Sequence, residues 1–122
     1  MDIPEISYET DDFSDIIAKD GRYDSRAYDF VLRVIAEASS AAKGHVSGQE
    51  LLGVFRDLAL DAYGPMARTV LADWGLDSCE DVGEVVFNLY RSKRIGKTDS
   101  DSMDDFIGGY NFDEEFLGPY RV

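Results

Sequence analysis

The chain has 122 residues, 44 % of them hydrophobic, and sets 25 acidic against 12 basic side chains for a formal charge of −13. That length suits one domain with its own core, and no apolar run approaches the roughly 18 residues that a membrane span needs, so no membrane partner is expected. Phosphate polymers repel so acidic a chain at long range, and its single cysteine, Cys79, can form no intramolecular disulfide, which points to a reducing cytoplasm.

In chain order, residues 1–12 (MDIPEISYETDD) form an acidic segment without the apolar stretch of a secretory signal, expected to be extended. Residues 13–122 are expected to form a single globular helical domain that includes an acidic-aromatic tail. FSDIIAK puts Phe13, Ile16 and Ile17 on one face of a short helix stopped near Gly21. Ser25 is placed to cap a long helix that ends at Gly44, with Tyr28, Phe30, Val31, Leu32, Val34, Ile35 and Ala36 in a wide apolar stripe. So wide a stripe predicts a central helix.

HVSGQELL holds a capping box, Ser47 and Glu50, which opens a helix running to about Tyr63 and stopped by Gly64. Pro65 opens the next helix, where its missing N–H costs nothing. Met66, Ala67, Val70, Leu71 and Trp74 form that helix's inner face, and Gly75 stops it. Ser78 and Asp81 repeat the capping pattern with a shorter acid. Val82, Val85, Val86 and Leu89 follow at helical spacing, and that helix ends near Ser92. RIGKT reads as a hairpin arm, Ser102 as the cap of a turn at MDDFI, and the glycines at 108 and 109 as its break. The tail YNFDEEFLGPY has room for one more helical turn. The fold class is therefore mainly α, a compact bundle of five to six helices. A winged-helix-like arrangement with a minor two-stranded β ribbon near HVS and RIGKT is the variant it leaves open.

The stretches HVSGQELL, YGPMARTVLADWG, EDVGEVVFNL, KTDSDSMDDF and NFDEEF, in that order and spacing, resemble the Minf-type family, a small family of uncharacterised bacterial proteins. The resemblance covers roughly residues 20–120. It implies a single intracellular bacterial domain, and it carries no assigned activity or site.

Charge placement guides the functional reading. Residues 1–24 hold eight acids and two bases, residues 99–122 hold seven and one, and the body between them is nearly neutral. A nucleic-acid reading would use CEDVGEVVFNLYRS as a recognition helix, RIGKTDSD as a wing and Arg91, Lys93, Arg94 and Lys97 as contacts. The groove-reading end of such a helix is its N-terminal one, and here that end carries Glu80, Asp81 and Glu84. The basic residues sit at the opposite end, where they complement the helix dipole.

A calcium loop at TDSDSMDD would start with Asp99 and Asp101, but Met103 and Asp104 break its pattern, so loop 99–105 reads as a solvated acidic loop. A Cys79–His45 nucleophile pair has no supporting motif, and Glu80 and Asp81 oppose thiolate formation. No phosphate-binding glycine motif occurs. No cofactor, metal or catalytic set is expected, and a non-enzymatic role is the reading adopted.

The tail is the least ordinary feature. Its bland reading is aromatic closure of the core. Its sharper reading presents Phe112, Phe116 and Tyr120, spaced by four and set among Asp113 and Glu114, to a partner protein. Acids around such anchors favour a basic partner. The functional expectation is a protein-binding or accessory domain acting through this surface, with a homodimer as one form. The alternative is a winged-helix-like nucleic-acid or transcription-complex accessory protein.

Overall fold

The structure is a computed structural model that describes residues 13–42, 46–95 and 103–120. Six α-helices occur among them: α1 (Ser14–Lys19), α2 (Ser25–Ala42), α3 (Gly48–Tyr63), α4 (Ala67–Asp73), α5 (Cys79–Arg91) and α6 (Phe112–Leu117). Short 3-10 turns at Gly64–Met66, Met103–Phe106 and Gly118–Tyr120 complete the regular structure. The mainly α architecture matches the periodicity of the chain.

The ribbon does not appear among the described residues. Val46 and Ser47 lead straight into α3, and Arg94 and Ile95 form a bend after α5. The remainder of the expected hairpin arm, residues 96–98, lies outside the described residues. So do residues 1–12, His45, the expected stop at Gly44 and the expected cap at Ser102.

Local hydrogen bonding explains where the helices begin. The capping box at α3 is complete: the Glu50 amide donates to Ser47 Oγ at 3.0 Å, and the Ser47 amide donates to Glu50 Oε1 at 2.8 Å. At α2 the start lies one residue earlier than expected. Asp24, not Ser25, takes the free amide, with Arg26 N–H at 2.9 Å from its carboxylate. Pro65 opens a 3-10 turn that runs into α4 rather than a helix of its own.

At α5, Ser78 Oγ accepts the Asp81 amide as expected. Asp81 is one methylene too short to copy Glu50, and its carboxylate instead accepts the Asp77 amide, the Ser78 hydroxyl and the Tyr23 phenol. Asn111 caps α6 by accepting the Glu114 amide at 3.1 Å.

Helix ends are equally specific. After α4 the Leu76 amide donates to the Leu71 carbonyl and the Gly75 amide to Ala72, a Schellman closure. Gly75 sits at φ 93°, and a side chain there would collide with the Arg22 carbonyl. Leu71 and Leu76 are both fully buried, so the turn also seals the core.

The buried side chains form one cluster. α2 supplies Ala27, Tyr28, Phe30, Val31, Val34 and Ala38 and packs on α3 and α5. Ala36, expected in the stripe, is exposed. α5 is enclosed along most of its length, and only Tyr90 and Arg91 are exposed. On its far side the Met103–Phe106 turn packs directly over Gly83, where any Cβ would come within 2.8 Å of the Phe106 ring. Gly83 is therefore set by a close approach, not by backbone freedom.

An aromatic chain runs through the core. Trp74 meets Tyr63 and Phe30, Phe30 meets Phe55, and Phe55 meets Phe112 and Phe116. Offset and edge-on ring pairs of this kind add to the burial of their area.

Candidate functional site

The tail expected to carry the site divides in two. Phe112 and Phe116, one turn apart on α6, are buried against Phe55, their rings 5.0 Å apart. They are part of the core. Tyr110 stacks on Phe112, and its phenol donates to the Leu52 carbonyl at 2.7 Å. Burial pushes the Tyr110 phenol well above its ordinary range, so it stays a neutral donor.

Tyr120 is the outward part, 46 % exposed at the end of the Gly118–Tyr120 turn. Its hydroxyl lies 3.8 Å from the point where a Gly64 side chain would begin. It therefore stands beside the Gly64–Met66 turn, whose Met66 is 56 % exposed.

The acids of α6 also divide. Asp113 accepts Arg68 Nε at 2.8 Å, and Arg68 lies over the Phe112 ring and bridges on to Asp77 at 3.1 Å. Glu115 pairs with Arg56 at 3.2 Å. These two carboxylates fasten α6 to α4 and α3. Glu114 is exposed, as is Asp61 one turn before Gly64. The structure thus leaves Tyr120 exposed beside Gly64, and buries Phe112 and Phe116 in the core.

The basic corner is partly committed as well. Arg94 forms a two-pronged pair with Asp15 at 2.8 and 3.0 Å and covers the Phe13 ring. That guanidinium holds the Asp15 carboxyl below the usual carboxylate range. Arg91 donates to Asn88 Oδ1 at 2.7 Å. Lys93 is exposed and closes α5 in the left-handed region, φ 66°. Lys97 lies outside the described residues, as do Asp99 and Asp101 of the acidic loop. The N-terminal turns of α5 offer no exposed face to a groove, because Glu80, Asp81 and Glu84 are only partly exposed and the rest are buried.

No protein-family model, curated protein or solved structure matches this chain.

Cys79 is enclosed rather than presented at a surface. It is buried at the first position of α5, its sulfur 3.4 Å from the Tyr110 amide that donates to it and 3.5 Å from the Tyr110 carbonyl. Burial pushes its thiol upward, which outweighs that amide contact. Its contacts seat the segment at Tyr110 against the start of α5. No helix among the described residues is long and apolar enough to cross a membrane.

A polar network missed in the sequence reading lies between α1 and α5. Asn88 is the one polar residue buried among the described positions. Its amide donates to Asp20 at 3.0 Å and to the Tyr28 phenol at 3.1 Å. Asp20 in turn takes the Arg22 guanidinium at 2.7 and 2.8 Å, which holds its carboxyl well below the usual range. An Asn within an otherwise apolar helical repeat (VVFNLY) was the available signal.

Proposed function

We propose that the protein is a non-enzymatic, cytoplasmic accessory domain that binds another protein through its acidic-aromatic C-terminal face. The observation that carries this reading is the exposure of Tyr120 beside the Gly64 turn, on a chain whose other tail aromatics are used to build the core. Tyr is well suited to anchor an interface, since it offers a large rigid face and one hydroxyl at low entropic cost. Glu114 and Asp61, both exposed, would give that anchor a negative surround, which a basic partner surface complements. Phe112 and Phe116 support the face from inside, by fixing α6 and the turn that carries Tyr120.

The test compares three forms of the full chain as immobilised bait: unaltered, Tyr120→Ser with Glu114→Lys, and Tyr90→Ser on a distant exposed site. The expected result is a protein captured by the first and third and lost, at least about tenfold, with the second. Sedimentation of the free chain identifies the case in which that partner is a second copy. Identical captures by all three baits contradict the reading.

A second reading, a winged-helix-like nucleic-acid or transcription-complex accessory protein, draws on the exposed cations Arg91 and Lys93 at the end of α5. It predicts DNA binding that weakens steeply with salt and falls in Arg91→Ala with Lys93→Ala. Affinity unchanged by those substitutions rejects it.

A further inference from the structure

Between the C-terminal ends of α1 and α5 lies a cleft of about 380 Å³, lined by Asp15, Lys19, Asp20, Asn88, Arg91 and Ser92. Its size falls in the range of small-molecule sites. The decisive feature is which of its polar groups are already used.

The acceptors are spent. Asp20 receives four donors: the Arg22 amide at 3.2 Å, Arg22 Nε at 2.8 Å, Arg22 Nη2 at 2.7 Å and Asn88 Nδ2 at 3.0 Å. Two carboxylate oxygens have room for about four. Asp15 is held in the same way by Arg94 and by the amides of Asp15 and Ile16.

Several main-chain carbonyls at the two helix ends are taken too. Ile16 accepts Asp20, Asn88 accepts Ser92, Leu89 accepts Arg94 and the Ser92 hydroxyl, and Tyr90 accepts Lys93.

The donors are not spent. Arg91 has five N–H groups and uses one hydrogen bond, to Asn88 Oδ1. Lys19 has three, and they meet no partner among the described residues. Arg91 is also pre-positioned. Asn88 holds its guanidinium, and Asn88 is itself fixed by Asp20 and by the buried Tyr28 phenol. Once Asp15 is paired with Arg94 and Asp20 with Arg22, the cleft has two uncompensated positive charges, on a chain whose net charge is −13. The helix dipoles explain why cations collect here. They do not consume the cations' hydrogen bonds.

We infer that this cleft binds a small oxyanion, a carboxylate or phosphate group, held by the Arg91 guanidinium and the Lys19 ammonium. Arg91 supplies a planar fork suited to two oxygens of the anion, and Lys19 closes over it as a mobile point charge. The site is separate from the Tyr120 face and stands or falls independently of it.

The experiment is a titration of the full chain, at low ionic strength, with inorganic phosphate, acetate and chloride, followed by ¹H–¹⁵N NMR. The expected result is saturable shifts confined to residues 15–20 and 88–92, including the Arg91 Nε–H, with phosphate or acetate and not with chloride. The midpoint is expected on the order of 1 mM for two partly exposed cations. Whichever of the two probes binds tighter names the group. Arg91→Gln and Lys19→Gln should each weaken binding at least about fivefold. Lys19 is exposed and outside the network, so Lys19→Gln decides the matter if Arg91→Gln disturbs the fold. Shifts that grow equally with chloride, no saturation with either oxyanion, or binding unchanged in Lys19→Gln overturns the inference.

Discussion

Lys93 closes α5 with a full Schellman pattern: its own amide donates to Tyr90, and the Arg94 amide donates to Leu89, each at 3.0 Å. The position needs φ 66°, which glycine adopts freely and lysine does not. Lys93→Gly is therefore expected to stabilise the fold by about 1 kcal/mol, read as a raised urea midpoint with unchanged slope. A lowered midpoint would show that the lysine side chain, not the turn, matters there.

Asp20 makes the opposite kind of prediction. Its carboxyl is held below the usual range first by the Arg22 hydrogen bonds. A depressed acid stabilises the fold above its unfolded value, near 4, and that contribution drains away as pH falls through 4 toward the folded value. Asp20→Asn is expected to cost about 1–2 kcal/mol at pH 7, a modest figure because Arg22 is 56 % exposed. It should also flatten the decline in stability between about pH 5 and 3. Denaturant melts across that window check both parts. An unaltered pH profile in Asp20→Asn would place the acid sensitivity elsewhere.

At the scale of elements, α6 explains the division of labour in the tail. Phe116 is fully buried and meets Phe55, Tyr110 and Phe112, whereas Tyr120 is nearly half exposed four residues later. Phe116→Ala is expected to destabilise by about 3–5 kcal/mol, and Tyr120→Ser by less than about 1 kcal/mol. Equal costs would contradict the assignment of one to the core and the other to the surface. Gly83→Ala belongs to the same scale. The Phe106 ring covers that position at 2.8–2.9 Å, so an added methyl must move the Met103–Phe106 turn and cost about 1–3 kcal/mol.

What was legible in the sequence follows the reach of each interaction. The Ser47–Glu50 box and the Ser78 cap act over three residues, and reading them places α3 and α5 correctly. Asn111–Glu114 has the same spacing and caps α6, but the aromatic pattern of the tail draws attention from it. The spacing of Phe112 and Phe116 shows that they share a face. Which way that face turns depends on Phe55 and on the Arg56–Glu115 pair, whose partners are 59 residues apart. No local pattern encodes such a contact. The cleft was out of reach for the same reason: Lys19 and Arg91 line one cleft where Asn88 ties α5 to Asp20, 68 residues away in sequence.

At the scale of the whole molecule, the neutral body of the chain becomes the enclosed part and the C-terminal acids become fasteners. Asp113 and Glu115 are spent on Arg68 and Arg56, so the negative charge of the tail first serves to hold α6 in place. What it leaves for a partner is Glu114 and the exposed Tyr120. The protein-binding proposal depends on this docking, because a loose tail would expose Phe112 and Phe116 and make the partner surface a different one.

Native-state hydrogen exchange at α6 tests that docking most directly. The account predicts that the amides of Phe116 and Leu117 open with a free energy close to that of Val85 and Val86 in the enclosed α5. Exchange at α6 as fast as in an unstructured peptide, while α5 stays protected, would contradict it.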